Sequence, residues 1–260
     1  MSQNTLRRKL QSDQTTLGLW ATMECASITE IAVALNIDWV VVDMEHGHLD
    51  YKDAMDHIRV VRETGTSIII RVPDIREDCI KRALDMGAHG VILPLARSAT
   101  DVERGFQFGR YAPRGVRGIG GERAVKWGLG FQDYLDVANE ETLIIPMIET
   151  KEAGEDIDNI LEVDGLEAIF LGPADMSATY GHLEEWEGGD TAKLNLEIRE
   201  KAEKKGIATG VVGTDLENTI QRQEQGFKMV ALGSDGGLLI RSMRTALDAL
   251  GRDSKPHLWF

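Results

Sequence analysis

Leu143-Ile144-Ile145-Pro146-Met147-Ile148-Glu149 is an apolar run that ends on a carboxylate, and Leu166-Glu167-Ala168-Ile169-Phe170-Leu171-Gly172-Pro173-Ala174-Asp175 repeats the arrangement. Runs this apolar without strict alternation are expected of parallel strands covered on both faces. Six further runs surround these two: Ile37–Asp43, Ser67–Arg71, Gly90–Leu95, Ile207–Val212, Phe227–Leu232 and a weaker Thr16–Trp20. Helix starts fall between them. Ser27-Ile28-Thr29-Glu30 and Thr214-Asp215-Leu216-Glu217 fit the capping box, in which a hydroxyl and a carboxylate satisfy free backbone N–H groups. Asp74-Ile75-Arg76-Glu77 and Ser98-Ala99-Thr100-Asp101 are looser versions, and Gly65, Gly87, Gly206 and Gly226 stand where helices should stop.

Eight strands alternating with about eight helices, in 260 residues, predict a single-domain (β/α)₈ barrel over residues 1–260, with an N-terminal extension (1–14) and a C-terminal tail (251–260). An open doubly wound sheet is the alternative; no glycine fingerprint follows the first strand and no composition break divides the chain. In a barrel, residues just past the C-terminal ends of the strands form the active site.

The bulk properties narrow the function. The composition, 42% hydrophobic and 28% charged, is that of an ordinary globular protein. A net charge of −14 argues against a nucleic-acid partner. Cys25 and Cys79 are too few for a disulfide framework or a zinc site, and no run reaches the roughly 18 apolar residues of a membrane span. A cytoplasmic protein without a membrane partner is expected. An anionic substrate would have to be held by a metal or by a few arginines.

The strand ends supply candidates for both. Glu149 and Asp175, on adjacent strand ends, make a seat for a hard divalent cation, although Asp175 alone also reads as a helix cap. Asp43-Met44-Glu45-His46-Gly47-His48 follows the second strand, and its imidazoles titrate near neutral pH. Taken singly these residues also read as a polar loop; His46, a short step past the strand end, is the best placed to face the barrel mouth. Arg71 closes an Ile run, where a guanidinium must meet an anion, either a substrate oxygen or Asp43 or Glu149 in a structural pair. Arg110, Arg114, Arg117, Arg123 and Lys126, opposed only by Glu122 in a Gly-rich stretch, read either as a subunit-contact loop or as a hold on the far end of an anionic substrate. Imine chemistry is disfavoured: the only lysine inside a predicted strand is Lys228, at the wrong end of the last one.

Asp43-Met44-Glu45-His46-Gly47, Arg71-Val72-Pro73, Arg114-Gly115-Val116-Arg117-Gly118, Ile148-Glu149-Thr150 and Gly172-Pro173-Ala174-Asp175-Met176-Ser177, in this order, resemble the HpcH/HpaI aldolase family. These are metal-dependent class II aldolases of 2-oxo acids in the pyruvate/phosphoenolpyruvate barrel superfamily. The resemblance implies that Glu149 and Asp175 bind Mg²⁺ or Mn²⁺, with Co²⁺ as a further candidate. It implies that Arg71 contacts the keto oxygen and that His46 moves protons, oriented by Asp43 or Asp85. Ala174 and Asp175 would hold the pyruvate carboxylate through their backbone, and Trp20 would border the pocket. The expected reaction is reversible cleavage of a 4-hydroxy-2-oxo acid, such as 4-hydroxy-2-oxoheptanedioate or a 2-dehydro-3-deoxy sugar acid, to pyruvate and an aldehyde. A homohexamer with the last helix packed on a neighbour is implied as well. One position departs from the family: Met147 stands where many members have Gln, exchanging an amide for a thioether and putting substrate preference in question. Oxaloacetate decarboxylation of the macrophomate synthase type, citramalyl-CoA cleavage and a catalytically silent scaffold are the alternatives.

Overall fold

Strand parity organises the molecule. In the computed structural model, which describes residues 4–183, 185 and 187–255, the strands are β1 (Thr16–Ala21), β2 (Trp39–Asp43), β3 (Ser67–Arg71), β4 (Gly90–Leu93), β5 (Leu143–Ile148), β6 (Ala168–Leu171), β7 (Ala208–Val212) and β8 (Met229–Ser234). They pair in parallel, in sequence order, and close into a barrel through β1 and β8. Successive side chains alternate between the two faces. Ile68, Ile70, Ile144, Ile148, Ile169 and Leu171 therefore join the layer beneath the helices, while Val41, Ile69, Ile145, Met147 and Phe170 fill the barrel. Asp43 and Arg71 share the inward parity of Val41 and Ile69.

The interior is filled by large aromatics opposite glycines. Trp39 and Phe170 meet edge to face at 6.1 Å. A Cβ at Gly18 would lie 2.2 Å from the Trp39 ring, and one at Gly210 would lie 2.3 Å from Phe170. These strands can approach the rings only because both positions lack side chains.

Twelve α-helices connect or flank the strands among the described residues: α1 (Thr5–Gln11), α2 (Ser27–Ala34), α3 (Tyr51–Val60), α4 (Glu77–Asp85), α5 (Ala99–Gly109), α6 (Phe131–Glu141), α7 (Lys151–Glu155), α8 (Ile157–Ile160), α9 (Pro173–Thr179), α10 (Gly189–Lys204), α11 (Leu216–Glu224) and α12 (Asp235–Ala249). No helix among the described residues is long and apolar enough to cross a membrane. The expected N-terminal extension contains α1, which closes the barrel floor. Its Leu6 and Leu10 enter the interior cluster, and Asn4 ties its start to the carbonyls of His89 and Glu141 at 2.9 Å each. Residues 256–260 of the expected tail lie outside the described residues.

Several local expectations are corrected. Ser27 is the first helical residue of α2 rather than its cap, and no side chain caps that helix. The cap of α11 is Asp215, not Thr214; its carboxylate accepts from the Asn218 amide at 2.8 Å. Asp74 does not cap α4, whose capping position is Arg76. Ser98 does cap α5. Gly87, Gly206 and Gly226 take positive φ beyond their helices, whereas after α3 the left-handed residue is Glu63, not Gly65. The fourth strand ends at Leu93 because Pro94 has no N–H to continue the ladder and Leu95 turns left-handed, with φ of 48°.

Candidate active site

Inward parity at the C-terminal strand ends gathers Asp43, Arg71 and Met147 in one place, with Glu149 one residue beyond β5. Asp43, 2% exposed, is the hub. Its Oδ1 accepts from Arg71 Nε at 2.9 Å and from the amides of Glu45 and His46 at 3.0 and 3.2 Å. Its Oδ2 accepts from Arg71 Nη2 and from Trp20 Nε1, the latter at 3.1 Å. Burial by itself raises the Asp43 pKa, but the Arg71 guanidinium, with Trp20 and the His46 amide, outweighs it and holds the carboxyl below its ordinary value. A carboxylate so occupied has no free lone pair for proton transfer. It positions Arg71 and the turn that carries His46.

Arg71 thus forms the structural pair with Asp43 through Nε and Nη2, which leaves Nη1 outside that pair. That nitrogen lies 2.8 Å from Glu45 Oε2 and 3.8 Å from Met147 Sδ, and the guanidinium sits 5.1 Å from the Trp20 ring centre. Glu45 is close to Arg71 but misaligned, so its buried Oε2 lacks a hydrogen bond. Burial raises its pKa against the pull of Arg71 and His46, with Asp43 and Asp175 adding to the rise.

Glu149, 2% exposed, is held from behind: its Oε1 accepts from the Leu95 amide at 2.7 Å. A Cβ at position 172 would lie 2.8 Å from its Oε2, so only glycine lets the turn after β6 close over this carboxylate. Burial, with the charges of Glu45 and Asp175, lifts Glu149 to about 7 against the Leu95 hydrogen bond. Asp175 is exposed in the first turn of α9, whose capping position is Gly172 with Pro173 first in the helix; the capping role expected of Asp175 is not the one it takes. The first-turn amides of Ala174 and Asp175 have no intrahelical acceptor.

The remaining candidates fall as follows. His46 is exposed at the mouth, with 67% of its side chain accessible, and its Nε2 lies 3.9 Å from Glu45 Oε2. Asp43 holds its backbone and not its ring. Asp85 stands apart, at the last turn of α4, paired with Arg117 at 2.7 Å; no hydrogen bond or ion pair joins it to His46. The basic stretch packs on its own chain. Arg117 is buried between Tyr111 and Tyr134, Arg114 pairs with Glu140, and Arg123 donates to the Met86 carbonyl at 2.7 Å. In the sequence Glu45 stands out only within the Asp43–His48 cluster, as one of an Asp, a Glu and two His able to bind metal or move protons, and is not singled out; Leu95, which acts through its backbone, is not marked as a participant.

Among the described residues no three His, Cys, Asp or Glu side chains form a ready-made metal cluster. What the site offers is two carboxylates, Glu149 and Asp175, with Glu45 close enough for its charge to act on Glu149. Three acids facing one available guanidinium nitrogen leave a local excess of negative charge, which suits a hard divalent cation that keeps positions open for water and substrate.

The sequence profile of the HpcH/HpaI aldolase/citrate lyase family matches residues 16–242. A hydroxypyruvate/pyruvate aldolase of Paraburkholderia phytofirmans is 30% identical over 251 residues, spanning 94% of this chain and 96% of that protein. A 4-hydroxy-2-oxovalerate aldolase of Novosphingobium aromaticivorans is 34% identical, spanning 89% and 88%. The crystal structure of an HpcH/HpaI aldolase/citrate lyase family protein from Burkholderia cenocepacia superposes with a TM-score of 0.90 at 28% identity, covering 95% of this chain and 99% of that one. Profile, relatives and barrel agree: the chain belongs to the HpcH/HpaI aldolase/citrate lyase family and is an aldolase, a carbon–carbon lyase.

Proposed function

We propose that this aldolase binds a divalent cation, Mg²⁺ or Mn²⁺, through Glu149 and Asp175 and reversibly cleaves a 4-hydroxy-2-oxo acid to pyruvate and an aldehyde. The observation that carries this reading is the convergence of Glu45, Glu149 and Asp175 around Arg71. The names of the relatives support a 2-oxo acid as the substrate class. A cation seated there supplies Lewis-acid polarisation of a chelated 2-oxo acid.

The chain's own residues do the rest. The free amides of Ala174 and Asp175 receive the substrate carboxylate at the start of α9. Arg71, locked by Asp43, aims Nη1 at the 2-oxo oxygen and offsets the negative charge that develops there as the C3–C4 bond breaks. His46, at the open mouth, accepts the 4-hydroxyl proton, so the departing fragment leaves as an aldehyde, and exchanges that proton with solvent. Trp20 and Met147 wall the cavity beneath the substrate. The assembly goes with this reading: α12 packs on a neighbouring subunit of a homohexamer.

Treatment with EDTA abolishes pyruvate release, and added Mn²⁺ or Mg²⁺ restores it. Inactivation by borohydride in the presence of pyruvate would reveal an imine enzyme and overturn the proposal. A panel of 4-hydroxy-2-oxo acids, scored by pyruvate release, identifies the aldehyde half.

A further inference from the structure

Leu95 is a left-handed residue in an unusual place. It follows Pro94 in the turn after β4, its φ is 48°, and its side chain is 39% exposed. A positive φ after proline is the ordinary station of glycine or asparagine, because a Cβ crowds the backbone there. A leucine gains little from packing at this position, so the turn's geometry needs another reason. That reason is visible at the amide. The strained turn aims the Leu95 N–H at Glu149 Oε1, 2.7 Å away, and this is the hydrogen bond that holds the buried carboxylate. On the other side the Gly172 turn passes so close that a Cβ there would lie 2.8 Å from Oε2. Glu149 is therefore gripped by two turns, one from β4 and one from β6, and its direction is set by backbone rather than by neighbouring side chains.

We infer that the Leu95 turn is a positioning device for Glu149: its left-handed amide fixes one carboxylate oxygen so that the other faces the cation seat. The inference rests on the metal reading of Glu149 and adds a residue outside the ligand set. Returning this turn to negative φ would swing the amide away and leave Glu149 Oε1 buried without a donor. Outer contacts of this kind tune metal affinity by about 10–100-fold.

The test is Mn²⁺ titration by calorimetry on three chains. Leu95→Val resists positive φ through its branched Cβ and should bind Mn²⁺ about ten-fold more weakly than the natural protein. Leu95→Gly keeps both amide and turn and should bind within about two-fold. Thermal melts establish that each variant is folded. Equal affinity in the Val, Gly and natural chains overturns the inference and leaves the metal reading standing; absence of Mn²⁺ binding by the natural chain overturns both. Hydrogen exchange at the Leu95 amide reads the contact without metal. Glu149→Ala should accelerate that exchange by up to about ten-fold, the loss of a hydrogen bond, and an unchanged rate overturns the inference.

Discussion

Asp43 shows how one buried carboxylate can hold several members of a candidate site in place. Five donors converge on its two oxygens, from Arg71, Trp20 and the amides of Glu45 and His46. Replacing it with alanine removes the lock on Arg71 and the anchor of the His46 turn together. Asp43→Ala should cost about 3 kcal/mol of stability, the lower range for breaking a buried ion pair, because Glu45 still faces the guanidinium. It should lower kcat by about 10²-fold through misplacement of Arg71. Urea unfolding and steady-state kinetics check the two figures, and a stability loss with unchanged kcat would show that Arg71 does not need this lock. Met147 makes a subtler prediction. Its sulfur rests against Arg71 Nη1, so the guanidinium faces a weak acceptor. Met147→Gln supplies an amide oxygen worth roughly 0.5–1.5 kcal/mol and should shift kcat/KM between acceptor aldehydes by up to about ten-fold. Mn²⁺ affinity should stay put; a change there would place Met147 in the cation site. Part of this candidate site was legible in the sequence because Asp43, Arg71 and Glu149 stand at the ends of apolar runs, where a barrel gathers its polar residues; Met147 drew notice only as a departure from the resembled family. Glu45 taken singly and the Leu95 amide were not legible, since beyond the strand ends direction depends on turn geometry that the residue types do not encode.

At the scale of elements, the floor of the barrel is joined by polar contacts that no hydrophobic pattern announces. His89, just before β4, accepts the Ile68 amide of β3 on Nδ1 at 3.0 Å, and its carbonyl receives Asn4 beside α1. Burial pushes its pKa from 6.5 down to about 4, and protonating Nδ1 would also cost the Ile68 bond. A depressed histidine pKa has a definite sign. Above about 6.5 neither the folded nor the unfolded chain carries the proton, and stability is full. Between 6.5 and 4 the unfolded chain takes up a proton that the folded chain refuses, so stability falls as pH drops. Glu149, whose folded value of about 7 works in the opposite direction over this window, is common to both chains. Urea unfolding at pH 7 and pH 5 should therefore show His89→Asn, which keeps an acceptor but does not titrate, faring better on acidification than the natural chain. Equal pH slopes would remove His89 from the account. The strands themselves were readable in the sequence, all eight of them, because buried parallel strands are nearly continuous apolar runs. Their ends were less so. The run from Ile37 begins pairing only at Trp39, and the run from Phe227 continues to Ser234. Capping was readable at Ser98, but at Ser27 and Thr214 more than one residue could serve, and backbone geometry decides which does.

For the whole molecule the telling feature is a helix that covers its own barrel only in part, through Leu238 against Leu19, Ala21, Ala32 and Val40. The eighth helix of a (β/α)₈ barrel ordinarily packs over the seam between β8 and β1, yet Asp235 is the only buried residue of α12. Its Leu239, Ile240, Met243 and Leu247 are exposed along one side at helical spacing, with Leu250 exposed just beyond its end. Neighbouring elements carry exposed apolar residues as well: Ile31 on α2, Leu35 at its C-cap, and Leu216 and Ile220 on α11. An apolar helix face and further exposed apolar residues on α2 and α11, on one chain, fit docking between copies in which α12 of one subunit packs on another. The charge of −14 per chain opposes association, so apolar contact has to carry it. Burying Ile240 and Met243 stabilises each docked helix by roughly 1.5–3 kcal/mol per side chain. Ile240→Asp with Met243→Asp should therefore weaken assembly by about 10²–10⁴-fold. Light scattering coupled to size exclusion at micromolar protein should show the natural chain as an oligomer and the double variant as a smaller species with the same far-ultraviolet dichroism. An unchanged oligomer would place the interface elsewhere, and a monomeric natural chain would overturn the docking of α12 altogether.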